Sequence, residues 1–272
     1  MSSQSPNKVA ILGCGWLGLP LAEQLLRNGY KINGSTTTPG KLEVLRASGI
    51  EPYLIQVEAE EITGDLTSFL SGVEVLIIDF PPGIRSRSPE DYLKSIEQLV
   101  KMIRSFSLTK VVFVSSISVY EDTEEFPVYK EEDMPNATSS RGKALIAAEE
   151  LLRSEKGFST TILRLGGLIG KDRHPVNQLS GRKDIANPEA PVNLISLTDC
   201  IGILEALLEK GSWGEVYNAV FPEHPSKESY YSRKARERSL PLPEFGNGLS
   251  KGKLIDSGKL QLGLDYEFKG RL

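Results

Sequence analysis

The chain has 272 residues, of which 39% are apolar and 25% charged, and its net charge is −4 at pH 7. That length fits one large α/β domain or a core domain with a smaller appendage. The acidic balance argues against a nucleic-acid partner, and no apolar run is long enough to cross a bilayer. Two cysteines (Cys14, Cys200) and two histidines (His174, His224) form no metal-ligand spacing and no disulfide framework, so no metal is expected. The polar start lacks a signal pattern, and a reducing cytoplasm is the expected compartment.

Strand and helix patterns alternate along the first half. Lys8–Leu12 (KVAIL) reads as a buried strand, and Trp16–Arg27 as a helix with apolar positions at Leu17, Leu21, Ala22, Leu25 and Leu26, ended by Asn28-Gly29. Tyr30–Ser35 reads as a second strand. Pro39 opens a helix through Leu45 that stops before Gly49. Pro52–Val57, Val75–Asp79 and Lys110–Ser116 read as strands three to five, with a helix over Pro89–Ser105 between the last two. The runs VLIID and KVVFV are apolar without alternation, as in strands covered on both faces in a parallel sheet. A helix over Ser139–Arg153, a strand over Thr160–Leu165, a helix over Thr198–Leu208 and a strand over Glu215–Val220 continue the pattern.

This alternation predicts an α/β fold with a doubly wound parallel sheet. After Phe221 charges and prolines become frequent, with helices expected over Lys227–Arg238 and around Ser257–Leu262. The reading places the core in residues 1–165. Residues 166–272 hold the remaining core elements, about 192–220, and a small substrate-side region, all as one structural unit.

Gly13-Cys14-Gly15-Trp16-Leu17-Gly18 matches GxGxxG between a strand and a helix, the context in which the motif binds a dinucleotide. The first glycine allows a tight turn, the second lets backbone approach a pyrophosphate, and the third lets helix and strand pack closely. Free N–H groups and the helix dipole then hold the phosphate charge. FAD shares such a loop, but the chain has no obvious second FAD-binding region. The choice between NAD and NADP rests on the end of the second strand, where an acidic residue receives the ribose hydroxyls in NAD binders. Here the residues are Asn33-Gly34-Ser35-Thr36-Thr37-Thr38, with no acid. Ser35, Thr36, Thr37 and Lys41 suit a 2′-phosphate, so NADP is the expected cofactor, with NAD possible. A solvated polar turn is the alternative, since no arginine is present to clamp the phosphate.

Several segments in order resemble the short-chain dehydrogenase/reductases of the NAD-dependent epimerase/dehydratase group. They are Val114–Tyr120 (VSSISVY), Glu131–Pro135 (EEDMP), Lys143 with Glu149, Arg164-Leu165 with Gly170, Asn193–Asp199, and Gly214–Asn218. The resemblance implies NAD(P)-dependent oxidoreduction or epimerisation of a small carbonyl or sugar-like substrate. It implies Ser116 as the hydroxyl at the substrate oxygen and Lys143 at the nicotinamide ribose. Relatives often dimerise through the helices here at about 89–105 and 139–153, so a homodimer is an implied partner.

The family's tyrosine stands four residues before the lysine, one turn away on the same helix face. That position is Ser139. An aliphatic hydroxyl is shorter and a far weaker acid than a phenol, which titrates near 10. Three readings stay open. Another group supplies the proton: Tyr120 first, which also reads as a wall of the pocket, then Asp79 or a water held by Ser139. Alternatively the chain binds cofactor without chemistry, in sensing or scaffolding, or it catalyses a reaction that needs no phenol.

Other residues carry two readings each. Asp79 and Pro81, in Asp79-Phe80-Pro81-Pro82-Gly83, form a rigid loop beside the nicotinamide-side ribose, and Arg85 and Arg87 meet an anionic substrate or are surface charges. His174, in a charged loop, contacts a substrate anion or is solvent-exposed. Lys227–Arg238 reads as a solvated helix face with Tyr230 or Tyr231 turned inward.

Overall fold

The computed structural model describes residues 7–80 and 88–272. Pro81, Pro82, Gly83, Arg85 and Arg87, named above, lie outside the described residues. Seven strands form the central sheet: β1 (Lys8–Leu12), β2 (Lys31–Thr36), β3 (Glu51–Leu54), β4 (Val75–Ile78), β5 (Lys110–Ser116), β6 (Ser159–Leu165) and β7 (Val216–Ala219). Their order is β7-β6-β5-β4-β1-β2-β3. The sheet is parallel, with Val9 opposite both Ile32 and Val75, and Leu76 opposite Val111. The order reverses between β1 and β4, which is where ligands bind in open α/β sheets. The predicted doubly wound class is the observed one. The residues of β4, all without solvent exposure, show why those runs carry no polar alternation.

The helices of five residues or more, among the described residues, are α1 (Gly18–Arg27), α2 (Leu42–Ala47), α3 (Leu66–Leu70), α4 (Pro89–Ile103), α5 (Ser140–Ser154), α6 (Leu197–Lys210), α7 (Lys227–Glu237) and α8 (Gly258–Leu264). Helix α1 buries Leu21, Ala22 and Leu25, a stripe at helical spacing. It ends at Asn28, followed by Gly29 at φ +87°. Helix α4 begins with the Ser88 hydroxyl accepting from Asp91 N–H at 3.0 Å, with Pro89 in its first turn.

Two local readings differ from the sequence expectation. The strand expected over Pro52–Val57 divides after Leu54, and Gln56–Val57 pairs antiparallel with Ile62–Thr63. The cause is the end of its partner. The Thr36 carbonyl accepts from Ile55 N–H at 3.1 Å, and the next turn begins at Pro39, so the amides beyond Ile55 need other acceptors. Helix α3 was not anticipated, although Asp65 marks its start by accepting from Ser68 N–H at 2.9 Å.

The chain forms two compact units, each discontinuous in sequence. The first comprises Met1–Ser116, Ser139–Leu163 and Ile201–Val216, and so contains the glycine loop, Ser116 and Lys143. The second comprises Ile117–Thr138, Arg164–Cys200 and Tyr217–Leu272. Within it, Gly167–Ile169 pairs with Leu194–Ser196, and Val128–Tyr129 with Leu254–Ile255. Its end is fastened by one carboxylate. Asp199, with no solvent exposure, accepts from Tyr266 O–H at 3.0 Å, Lys269 N–H at 2.7 Å, Gly270 N–H at 3.0 Å and Ser196 O–H at 2.5 Å. Those donors satisfy an anion that would otherwise be costly to bury.

Replacing Asp199 by alanine leaves these buried donors without their acceptor. Urea unfolding of Asp199→Ala is expected to show a loss of about 3 kcal/mol or more.

Candidate cofactor-binding site

The turn after β1 is shaped by what its glycines exclude. Gly13 has φ +112°, and a Cβ there would lie 2.2 Å from the Asp79 carbonyl oxygen. A Cβ on Gly18 would lie 2.2 Å from the Gly13 carbonyl oxygen and 3.2 Å from Ile11 Cγ2. Gly15 differs: a Cβ there would meet nothing within 4 Å. The first and third glycines therefore close strand, turn and helix on one another, while the second leaves open space above exposed backbone. That is the division of labour a pyrophosphate requires.

Helix α1 begins with no side-chain cap, because Leu17 at its N-cap has no oxygen to offer. Its start keeps the character of an anion site. The Leu17 side chain is buried, so its share in ligand binding is backbone, while Trp16 is half-buried. The residues fit a dinucleotide.

Strand β2 braces the loop. Cys14 N–H donates to the Ser35 carbonyl at 2.7 Å, and the Ser35 hydroxyl accepts from Gly13 N–H at 2.9 Å. Ser35 is 2% exposed, so its hydroxyl holds the loop instead of facing solvent with its neighbours. Gly34 contributes as well, without a role expected from the sequence. A Cβ there would sit 2.7 Å from Cys14 Sγ and 2.6 Å from Ile50 Cγ2, so the Cys14 side chain seats in the space Gly34 leaves. The signal was a glycine inside a strand. Burial, then the Asp79 carboxylate, push the Cys14 thiol up to about 12, which leaves it protonated and unreactive.

Beyond Thr36 the side chains turn outward. The Thr36 hydroxyl accepts from Thr38 N–H at 3.1 Å and is buried, whereas Thr37, Thr38 and Lys41 are exposed. The Lys41 side chain has no hydrogen bond or ion pair among the described residues. Asp79 is half-buried directly after β4, and its N–H donates to the Leu12 carbonyl at 2.9 Å.

The residues named for chemistry separate into different surroundings. Ser116 is half-buried at the end of β5. The neighbouring Ser115 hydroxyl donates to Glu149 Oε1 at 2.5 Å, which ties β5 to α5 through two buried groups. Lys143 is exposed in the first turns of α5, and its side chain has no polar partner among the described residues. Ser139 is the N-cap of that helix: its hydroxyl accepts from Gly142 N–H at 3.2 Å. The position expected to carry a phenol on a helix face is therefore the residue that starts the helix.

Tyr120, named above as a proton source or a pocket wall, is enclosed. It is 1% exposed in the second unit, stacked on Tyr129 with ring centroids 4.6 Å apart. Its hydroxyl donates to the Lys130 carbonyl at 2.9 Å and accepts from Arg164 at 2.5 Å. Burial raises its pKa despite the opposing Arg164 charge. A phenol so enclosed ties the 117–138 segment to Arg164.

His174 is likewise buried, at 6% exposure, and does not face solvent. Its Nδ1 accepts from Val176 N–H at 3.1 Å, so Nε2 carries the proton and donates to the Tyr230 hydroxyl at 3.0 Å. Both Tyr230 and Tyr231 are buried around it, where one inward tyrosine was expected. Burial, then Arg238 and Lys234, lower the His174 pKa to about 4.

With this geometry the family assignment follows from comparison. The model of the NAD(P)H-binding family matches residues 13–196, beginning at the first loop glycine. The chain belongs to the NAD(P)H-binding family. It is 36% identical to Protein YeeZ of Escherichia coli (strain K12) over 267 residues, which cover 96% of each chain. Among solved structures, a functionally unknown conserved protein from Silicibacter pomeroyi DSS superposes with TM-score 0.79 at 22% identity, covering 97% of this chain and 94% of that one. A UDP-glucuronic acid 4-epimerase from Bacillus cereus in complex with NAD superposes with TM-score 0.79 at 19% identity, over 97% and 92% of the two chains. The chain thus shares its fold with both structures.

Two measurements follow. Gly15→Ala is expected to melt within about 0.5 kcal/mol of the parent and to bind dinucleotide about tenfold or more weakly, read by fluorescence titration. Gly18→Ala, whose methyl meets backbone, is expected to lose about 2 kcal/mol or more in urea unfolding. The His174 shift also sets a pH window. Its folded pKa of about 4 lies below the ordinary 6.5. The unfolded chain binds the extra proton first, so stability falls as pH drops from 6.5 towards 4. Unfolding curves of His174→Gln across that window are expected to have a shallower slope than the parent.

Proposed function

We propose that this protein binds NADP(H) at the Gly13 loop and uses it in oxidoreduction or epimerisation of a small carbonyl or sugar-like substrate. The observation that carries the reading is the loop itself, closed at Gly13 and Gly18 and open at Gly15 at an uncapped helix start. When bound, the cofactor supplies hydride transfer. The chain's own residues supply the rest. Backbone N–H groups at the start of α1 hold the pyrophosphate. Ser116 presents a hydroxyl to the substrate oxygen. Lys143, without a competing partner among the described residues, takes the nicotinamide ribose.

NADP is favoured over NAD by the end of β2. Thr37, Thr38 and Lys41 are exposed there and no acid lies between Thr36 and Lys41, so a 2′-phosphate meets hydroxyls and an ammonium. A cytoplasmic setting agrees with two free cysteines. A homodimer remains the proposed assembly.

A second reading is favoured by Ser139 and Tyr120. One hydroxyl caps a helix and the other is enclosed, so neither is poised as an acid. A dinucleotide-binding protein that senses or scaffolds without turnover would carry the same loop.

Fluorescence titration is expected to give tighter binding of NADPH than NADH. Lys41→Ala is expected to weaken NADPH by about five- to tenfold and leave NADH unchanged. Equal losses for both cofactors would remove Lys41 from the 2′-phosphate. A panel of carbonyl compounds and sugar nucleotides, followed by NADPH consumption, separates the enzyme from the silent binder. Background rates throughout at saturating cofactor would favour the latter.

A further inference from the structure

The sheet edge opposite the glycine loop carries a cavity. Strands β5, β6 and β7 begin there, side by side. Ser159 N–H donates to the Thr109 carbonyl at 2.8 Å, and Ile162 N–H to the Glu215 carbonyl at 2.9 Å. Gly214 N–H donates to the Thr161 hydroxyl at 3.0 Å. The cavity beside these starts has a volume of about 490 Å3, and its walls include Thr109, Arg153, Glu155, Lys156, Ser159 and Gly214. All six belong to the first compact unit. The volume is that of a metabolite-sized site.

The charges of the walls are not balanced. Arg153 and Lys156 are exposed, and neither side chain has a hydrogen bond or ion pair among the described residues. The acid between them is already neutralised. Glu155 accepts from Arg104 Nε at 2.8 Å and from the second guanidinium nitrogen as well, and that contact holds its carboxyl below the usual range. Lys110, next to Thr109, lies over the Trp213 ring at 4.9 Å. Glu215, next to Gly214, is exposed and is the acid on that side. A chain of net charge −4 thus collects two unpartnered cations at one polar cavity.

We infer that this cavity binds a small molecule bearing a phosphate group, held by Arg153 and Lys156. A phosphate monoester carries about −1.5 to −2 charge at pH 7, matching two cations. The Arg153 guanidinium offers paired donors to its oxygens, and the Lys156 ammonium a mobile point charge. The site is separate from the glycine loop, which lies at the other end of the strands. It requires nothing of the proposed chemistry.

The two tryptophans allow the sites to be read apart. Trp16 lies in the glycine loop, and Trp213 immediately precedes Gly214 of the cavity wall. In a Trp16→Phe protein, titration with AMP and with inorganic phosphate is expected to change Trp213 emission saturably, and to do so equally with NADPH already saturating. Calorimetry of the parent protein, presaturated with NADPH, is expected to show heat with the same midpoint. The Arg153→Ala/Lys156→Ala double variant is expected to raise that midpoint about tenfold or more with an unchanged melting curve. Inorganic phosphate acting where AMP fails identifies a free phosphate site; AMP acting more tightly identifies a nucleotide. The inference is overturned if neither probe gives saturable heat, if NADPH abolishes the signal, if the double variant matches the parent, or if sodium chloride at equal ionic strength reproduces the titration.

Discussion

The close approach of three backbone segments at the β1–α1 turn is the constraint on which the candidate site depends. The Gly13 carbonyl sits where a Gly18 side chain would be, and the Asp79 carbonyl where a Gly13 side chain would be. Those exclusions draw the start of α1 onto the ends of β1 and β4, at the point where the strand order reverses. The rest follows from that approach. The helix start opens without a side-chain cap, Ser35 and Cys14 bind the turn to β2, and Gly34 makes room for the Cys14 side chain. A buried, protonated thiol at the second motif position packs as a small apolar group.

Helix α5 shows how the same scaffold changes its chemical content. Its first turn is built by the Ser139 hydroxyl, and its middle is fixed to β5 by the buried Ser115–Glu149 hydrogen bond. The buried stripe on the helix runs through Gly142, Leu145, Ala148, Glu149 and Leu152, and Lys143 stands outside it. Hydroxyls near the chemistry-bearing strand end are thus committed to structure in two of three cases, Ser115 and Ser139. Ser116, half-buried beside Ser115, ends the same strand.

The second unit buries polar groups only as completed networks. Asp199 gathers four donors, His174 uses both ring nitrogens, and Tyr120 both donates and accepts. Each network joins segments far apart in sequence, which gives long irregular stretches a defined path where a regular strand ladder is absent. The cost at His174 is a dependence on protonation state, since a neutral imidazole is required where it stands.

The sheet, most of its helices and the glycine loop were legible in the sequence because their signals are local. Unbroken apolar runs, helical spacing and GxGxxG between strand and helix each act over a few residues. The break after Leu54 was not legible, because it depends on where β2 ends. Of the candidate site, the three glycines could be assigned their roles from spacing alone. The burial of Ser35, Tyr120 and His174 could not, since a polar side chain in a loop looks the same whether its partner is water or a residue distant in the chain. The sequence by itself determined the fold class and the anion-binding turn, through nearest-neighbour sterics and periodicity. Only the tertiary structure decided which hydroxyls, phenols and imidazoles are committed to the interior and which remain available to a ligand, because that depends on long-range hydrogen bonds.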